Sequence, residues 1–269
     1  GTLYTTQGIA PGKVVSICAK SHKATDLKTA IDLHAPCAPL VAGKSVYLAD
    51  RYRNLIVNAT NGKTISVSRE PIAMAATPDG KTLIVANLLP ADKADGHYAS
   101  SLVSFIDTTT DKLIVELPLA NGATGLRGIA IDPAGKFAYI THILARYQLP
   151  TTQIERGWIN TNALSILDIA TRKVVNTVLL DDVDLGAANP WAVAVSPDNK
   201  NIVVTHAGTH ELSIIDTKAM HARLAEYTKD KRADEVPNKL SFLAGIRRRL
   251  QMPGKGPRSI VILGRIAWI

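Results

Sequence analysis

The 269-residue chain has two cysteines, Cys18 and Cys37, and aromatic residues make up only 5% of it. Two isolated cysteines form no C-x-x-C pair, no zinc ligand set and no C-x-x-C-H haem attachment site. One disulfide or two buried thiols remain as alternatives. The longest apolar stretches, such as Ile260 to Leu263, fall far short of the roughly 20 residues a membrane-spanning helix needs. No signal peptide is visible at Gly1-Thr2-Leu3-Tyr4, and an opening on Gly is expected of a mature or trimmed form. A nucleophile elbow (G-x-S-x-G), a Walker loop, an H-E-x-x-H helix and a G-x-G-x-x-G turn are all missing. The chain therefore reads as a binding protein more than an enzyme, with catalysis left open.

What is present is apolar and aliphatic. Hydrophobic residues make up 46% and charged ones 20%, enough to bury a core. The length allows one large β domain or two smaller ones. Lys and Arg exceed Asp and Glu by 31 to 23, a net charge of +8. That excess invites a nucleic-acid or acidic-surface reading, which depends on where the charge sits.

Internal repetition is the strongest signal. Thr77-PDGKTLIVAN-Leu88, Asp132-PAGKFAYITH-Ile143 and Ser196-PDNKNIVVTH-Ala207 align with Val41-AGKSVYLAD-Arg51 and Ile262-LGRIAWI-Ile269. The turn residues Gly43, Gly80, Gly135, Asn199 and Gly264 are spaced by 37, 55, 64 and 65. An apolar run precedes each turn, and an alternating strand ending near Asp follows, as in Ser101-LVSFID-Thr108 and Glu211-LSIID-Thr217. A further strand comes next, as in Lys112-LIVELPL-Ala120. Each unit is then four short strands, A to D. Gly and Asn tolerate positive φ in the A–B hairpins, and C and D alternate like strands with a wetter face. The expected fold is an all-β β-propeller of four-stranded antiparallel blades, about four and a half of them, with a helical insertion near 217–246.

The run "PDGKTLIVAN…SLVSFIDTTTDKLIVEL", with its variants YLAD, IVAN, YITH and VVTH, resembles the YVTN-type β-propeller family over residues 36–269. The stretch from His142 to Asp168 also looks like surface-layer or periplasmic propellers found beside c-type cytochrome domains. The resemblance implies a periplasmic or cell-surface location and a protein partner or fused cytochrome domain. It also implies blades at 36–269 belonging to an incomplete ring in a longer chain. Residues 1–35 are then a leader or a closing strand.

Excursions and repeat positions supply the candidate site. Leu88–Ser100 and Ile143–Asn162 are B–C insertions on adjacent blades, and the second holds Arg146, Tyr147, Arg156 and Trp158, a recognition-type mixture or a simple lid. The C–D excursion of the fourth blade, Lys218–Ile246, is expected on the opposite face. It reads as a helix and, from Asn238, a second helix or a helix plus strand D, divided at Pro237-Asn238; Arg247, Arg248 and Arg249 alternate sides if that stretch is strand D. Residues 218–258 hold 11 basic and 4 acidic residues, so this one segment carries +7 of the +8. Arg247, Arg248 and Arg249 are its basic patch, a solvated rim or a docking place for DNA or an acidic surface.

Seven residues past the turn stand Asp50, Asn87, His142 and His206. His142 and His206 are metal or haem ligands on one reading and loop-capping groups on the other. His97 and His210 lie in nearby loops. Where strand A begins, Cys37, Ile72, Arg127, Trp191 and Arg258 are equivalent. Arg127 and Arg258 are candidates for an anionic ligand or for bonding neighbouring carbonyls, and Trp191 for inter-blade packing or a ligand platform. Asp107, Asp168 and Asp216 share one repeat position and are expected to bind the C–D turn.

Overall fold

The computed structural model describes residues 1–8, 11–29, 31–147 and 159–269. The chain divides into two compact units, residues 1–91 with 101–117 and residues 92–100 with 118–269.

The first unit begins with a three-stranded antiparallel sheet of β1 (Thr2–Gln7), β2 (Lys13–Cys18) and β3 (Ala24–Asp26). Two four-stranded meanders follow, β4 (Pro36–Ala42), β5 (Ser45–Asp50), β6 (Leu55–Asn58) and β7 (Thr64–Ser66), then β8 (Pro71–Ala76), β9 (Thr82–Pro90), β10 (Ser101–Asp107) and β11 (Lys112–Pro118). Tyr47, Ile56, Leu83, Val85 and Ile106 form the core between these two sheets. Val14 and Leu33 pack on Val46, Leu48 and Val57 in a smaller cluster. Cys18 and Cys37 are both free thiols.

The second unit repeats the meander in β12 (Ala123–Ile131), β13 (Phe137–Ala145), β14 (Asn160–Asp168) and β15 (Lys173–Leu179). The next sheet is β16 (Pro190–Val195), β17 (Asn201–His206), β18 (Glu211–Asp216) and β19 (Arg247–Gln251), followed by the hairpin β20 (Val261–Leu263) and β21 (Ile266–Trp268). All five predicted turn residues have positive φ, from 57° at Asn199 to 69° at Gly80 and Gly135. In three turns the N–H of that residue donates three residues back, Gly80 to Thr77, Gly135 to Asp132 and Asn199 to Ser196.

The repeated aspartates bind the turn after the third strand. Asp107 accepts from Thr109 N at 2.7 Å and Asp168 from Thr171 N at 2.8 Å. Asp216 accepts from Ala219 N at 2.8 Å and thereby caps helix α1 (Thr217–Lys229). One side chain can close a turn or start a helix because both leave an N–H two or three residues ahead without a partner.

Three sequence expectations need correction. The strands of the third meander extend into both ends of the predicted insertion, with Ile143 opposite Asn162 and Ala145 opposite Asn160. Pro237 does not divide two helices. The helix ends at Lys229, and Pro237 sits inside a 3-10 segment, Ala233–Asn238, followed by another at Leu240–Leu243. Val236, Leu240, Phe242 and Leu243 are buried, so tight turns that deliver apolar side chains to the core replace a second helix. Finally, the excursion is not confined to the opposite face. Asn176 of β15 donates to Ala233 O at 2.8 Å, and Arg146 bonds Asn238 Oδ1 at 2.8 Å and the Pro237 carbonyl. The excursion thus runs along the outer strand β15 and covers a sheet edge that would otherwise be open to pairing.

Candidate functional site

Arg127 and Gly128, midway along β12, and Trp191, near the start of β16, are positioned by a close backbone approach. A Cβ at Gly128 would lie 2.3 Å from Trp191 O, so only glycine fits there. Thr141 completes the contact, since its hydroxyl accepts from Gly128 N at 2.9 Å and donates to Trp191 O at 2.7 Å. This anchors the Trp191 backbone next to Arg127. The Arg127 guanidinium carbon then stands 4.4 Å from the Trp191 ring centroid. Arg258, on the segment leading into β20, stands 4.9 Å from the same centroid. The structure therefore brings Arg127, Trp191 and Arg258 together around one indole, within cation–π range. Arg127 and Trp191 are half-buried, and Arg258 is exposed.

His142 and His206 sit elsewhere, fully buried within their own sheets. His142 Nε2 lies 2.8 Å from Ser165 Oγ, which lies 2.8 Å from Thr177 Oγ1, and Nδ1 lies 3.0 Å from Ile143 O. His206 Nε2 lies 2.8 Å from Ser213 Oγ, and Nδ1 lies 2.9 Å from Ala187 O. A carbonyl can only accept, so Nδ1 carries the proton in both rings and Nε2 accepts from serine. Burial pushes both imidazoles down to about 4, so both are neutral near pH 7. Every ring nitrogen is engaged. Among the described residues no group of three or more His, Cys, Asp and Glu side chains is placed to hold a metal. The equivalent Asn87 donates to Ser104 Oγ at 2.9 Å, and Ser104 donates to Glu116 at 2.6 Å. Asp50 accepts from His34 N and Ala35 N. The four equivalent positions thus share the work of pinning strands and incoming loops. His210 is likewise tied locally, with Nδ1 accepting from Gly256 N at 3.0 Å.

The three consecutive arginines do not form one patch. Strand alternation sends Arg247 and Arg249 to one side and Arg248 to the other. The Arg247 side chain is 3% exposed and bonds Asp182 and the Leu180 carbonyl. Arg249, 13% exposed, meets Glu211 with Nε at 2.9 Å and Asp182 at 3.1 Å. Arg248 alone reaches the exterior, in a cleft shared with Asp198 and Arg265. Arg223 is committed to the Ala244 carbonyl and Arg232 to Glu235. Of the segment's excess charge, Arg247 and Arg249 are thus paired with carboxylates from outside it, Asp182 and Glu211.

The loop candidates divide as well. Arg156 and Trp158 lie outside the described residues. Arg146 is tied to the excursion, and burial lowers the pKa of its guanidinium. Tyr147 donates to Asn121 Oδ1 at 2.6 Å. Asn121 also accepts from Ala99 N at 2.9 Å and donates to His97 O at 3.0 Å, so one amide ties two insertions together. Sequence reasoning missed it, although Asn121 precedes Gly122, whose φ is 91°, and an Asn-Gly pair signals a tight turn. Tyr98 and Tyr147 remain 47% and 48% exposed. Tyr98 edges a cleft of about 360 Å³ lined by Leu119, Val174, Val175, Asp234 and Pro237.

No protein-family model matches this chain. It is 26% identical over 192 residues to hydrazine synthase subunit beta of Kuenenia stuttgartiensis, a match covering 71% of this chain and 48% of the relative. The chain thus spans about half the length of that curated relative. The solved structure of Kuenenia stuttgartiensis hydrazine synthase superposes with a TM-score of 0.60 at 21% identity, covering 92% of this chain and 82% of that one. At that identity the likeness is one of fold, and with the four four-stranded meanders it makes this chain a β-propeller.

Proposed function

We propose that this propeller is a non-catalytic binding subunit that engages a protein partner through the loops joining its second and third strands. The observation that carries this reading is the Asn121 tie, which joins Tyr147 to the loop at Ala99 and leaves both Tyr147 and Tyr98, the latter at the edge of an apolar cleft, half-exposed. Tyrosines already held by hydrogen bonds lose less entropy when they dock, and the pocket beside Tyr98 offers room for a partner's anchor side chain. The similarity to a subunit of hydrazine synthase supports a role within an assembly. The resemblance to YVTN-type propellers beside cytochrome domains supports an extracytoplasmic place and a c-type cytochrome domain as the partner.

Photo-crosslinking in the native host tests this. A photoreactive residue at position 98 or 147 is expected to capture one discrete polypeptide, and the same probe at Lys173, on the far end of β15, is expected to capture none. A Soret band in the captured product identifies a cytochrome. Absence of a discrete product at both tyrosine positions overturns the reading.

A further inference from the structure

The hairpin β20–β21 repeats the register of β4–β5. Val261 pairs with Trp268 and Leu263 with Ile266, as Leu40 pairs with Tyr47 and Ala42 with Ser45. Both hairpins turn at a glycine of positive φ, 60° at Gly264 and 59° at Gly43. Strand alternation puts Val261, Leu263, Ile266 and Trp268 on one face. Ile262 and Ala267, on the other face, share a cleft with Val203 and Ile214 of the fourth four-stranded sheet.

The two hairpins differ in what covers the first face. Tyr47 is 0% exposed and Ala42 3%, with Met74, Leu83 and Val85 of the next meander in the same core. Tyr139, at the same place past its own turn, is buried with Val193, Ile202 and Val204 of the meander that follows it. By contrast Trp268 is 63% exposed, Leu263 65%, Ile266 60% and Val261 52%. Four large apolar side chains side by side make a patch of the kind that marks a contact surface. The outer edge of β21 is also unpaired among the described residues, whereas the second strand of every four-stranded sheet carries a third.

Both observed coverings use the same three positions. Met74, Leu83 and Val85 stand six before, three after and five after the turn residue Gly80, and Val193, Ile202 and Val204 stand likewise about Asn199. Each covering sheet is also the next meander of the same polypeptide. The matched stretch takes up 48% of the curated relative, so a polypeptide of this kind has room for more meanders. We propose that the apolar face of β20–β21 is a docking surface for residues that continue this polypeptide beyond Ile269. Two strands complete the sheet along β21, and a further meander then covers Val261, Leu263, Ile266 and Trp268. Its own turn is a Gly or Asn, with aliphatic residues six before, three after and five after it. The covering is independent of what docks at Tyr98 and Tyr147.

Mass spectrometry of the polypeptide isolated from its source cells tests the proposal in two steps. Intact mass and peptide sequencing are expected to show residues beyond Ile269. They are also expected to show the three-position pattern around a Gly or Asn that follows Gly264 at a spacing within the 37 to 65 residues found between the earlier turns. Hydroxyl-radical footprinting of the same native protein then reads the face itself. Tyr47, buried, and Tyr52, 57% exposed, serve as internal references once intrinsic reactivities are divided out. Trp268 is expected to be protected like Tyr47, roughly tenfold more than Tyr52, because a side chain packed on all sides is closed to solvent. A polypeptide that ends at Ile269 overturns the proposal, and protection of Trp268 in that case assigns the face to a second copy or another protein. A longer polypeptide in which Trp268 oxidises like Tyr52 overturns it as well. So does a continuation that lacks the three-position pattern.

Discussion

His206 Nε2 lies 2.8 Å from Ser213 Oγ, and one blade earlier His142 Nε2 lies 2.8 Å from Ser165 Oγ. In both pairs a histidine late in the second strand accepts from a serine on the third. The serine sits where Ser104 receives Asn87 in the second blade. Repetition of the geometry through a change from Asn to His marks it as a structural bond between strands.

Acid is expected to weaken the fold through these two rings. Each histidine titrates near its ordinary 6.5 when unfolded and near 4 when folded. Between those values the unfolded chain binds more protons, so stability falls as pH drops, by about 1.4 kcal/mol per pH unit for each ring. Above pH 6.5 they contribute no pH dependence. Chemical denaturation measured from pH 7.5 to 4.5 checks this, and a His142→Asn/His206→Asn variant should show a flatter slope whatever its stability at neutral pH.

Ser213→Ala leaves His206 Nε2 buried without a donor. The expected cost is about 1–3 kcal/mol in equilibrium unfolding, the range for one orphaned buried polar atom. Ser165→Ala should cost a similar amount or more, because Ser165 also bonds Thr177. A neutral result at both positions would mean the rings find other partners.

Arg249→Ala strands the Glu211 carboxylate, whose side chain is only 6% exposed. Loss of one partner from a buried pair costs about 3–5 kcal/mol. Arg248→Ala, one residue away and exposed, should stay within about 0.5 kcal/mol of wild type. Urea midpoints of the two variants provide the comparison, and equal midpoints would contradict the alternation argument.

Gly128→Ala places a methyl group 2.3 Å from Trp191 O, and a backbone atom cannot swing aside as a flexible side chain can. The expected loss is at least about 1–3 kcal/mol, as for other overpacked sites. Trp191 fluorescence should shift as well, since the approach that positions its ring is lost. Near-wild-type melting and emission would show that these strands have room to separate.

The turns were legible because Gly80, Gly135 and Asn199 answer a local steric demand that short sequence windows record. The repeated Asp107, Asp168 and Asp216 were legible for the same reason, each satisfying an N–H two or three residues ahead. The course of the excursion was not legible. Its path along β15 depends on Val236 and Phe242 finding a core built mostly by strands far away in the sequence, and on Asn176 meeting Ala233. Nor does a run of three arginines reveal its partners, because Asp182 lies more than 60 residues before Arg247.

Sequence alone determined the four-stranded repeat, its turn residues and the equivalence of Arg127, Trp191 and Arg258, since these follow from local backbone conformation and strand periodicity. Tertiary structure decided which charges are neutralised. It buried Arg247 and Arg249 against carboxylates and left Arg258 exposed, its guanidinium carbon 4.9 Å from the Trp191 ring centroid. The physical reason is that a charge's environment is set by groups brought near in space, and electrostatic energy depends on that distance and on burial rather than on separation along the chain.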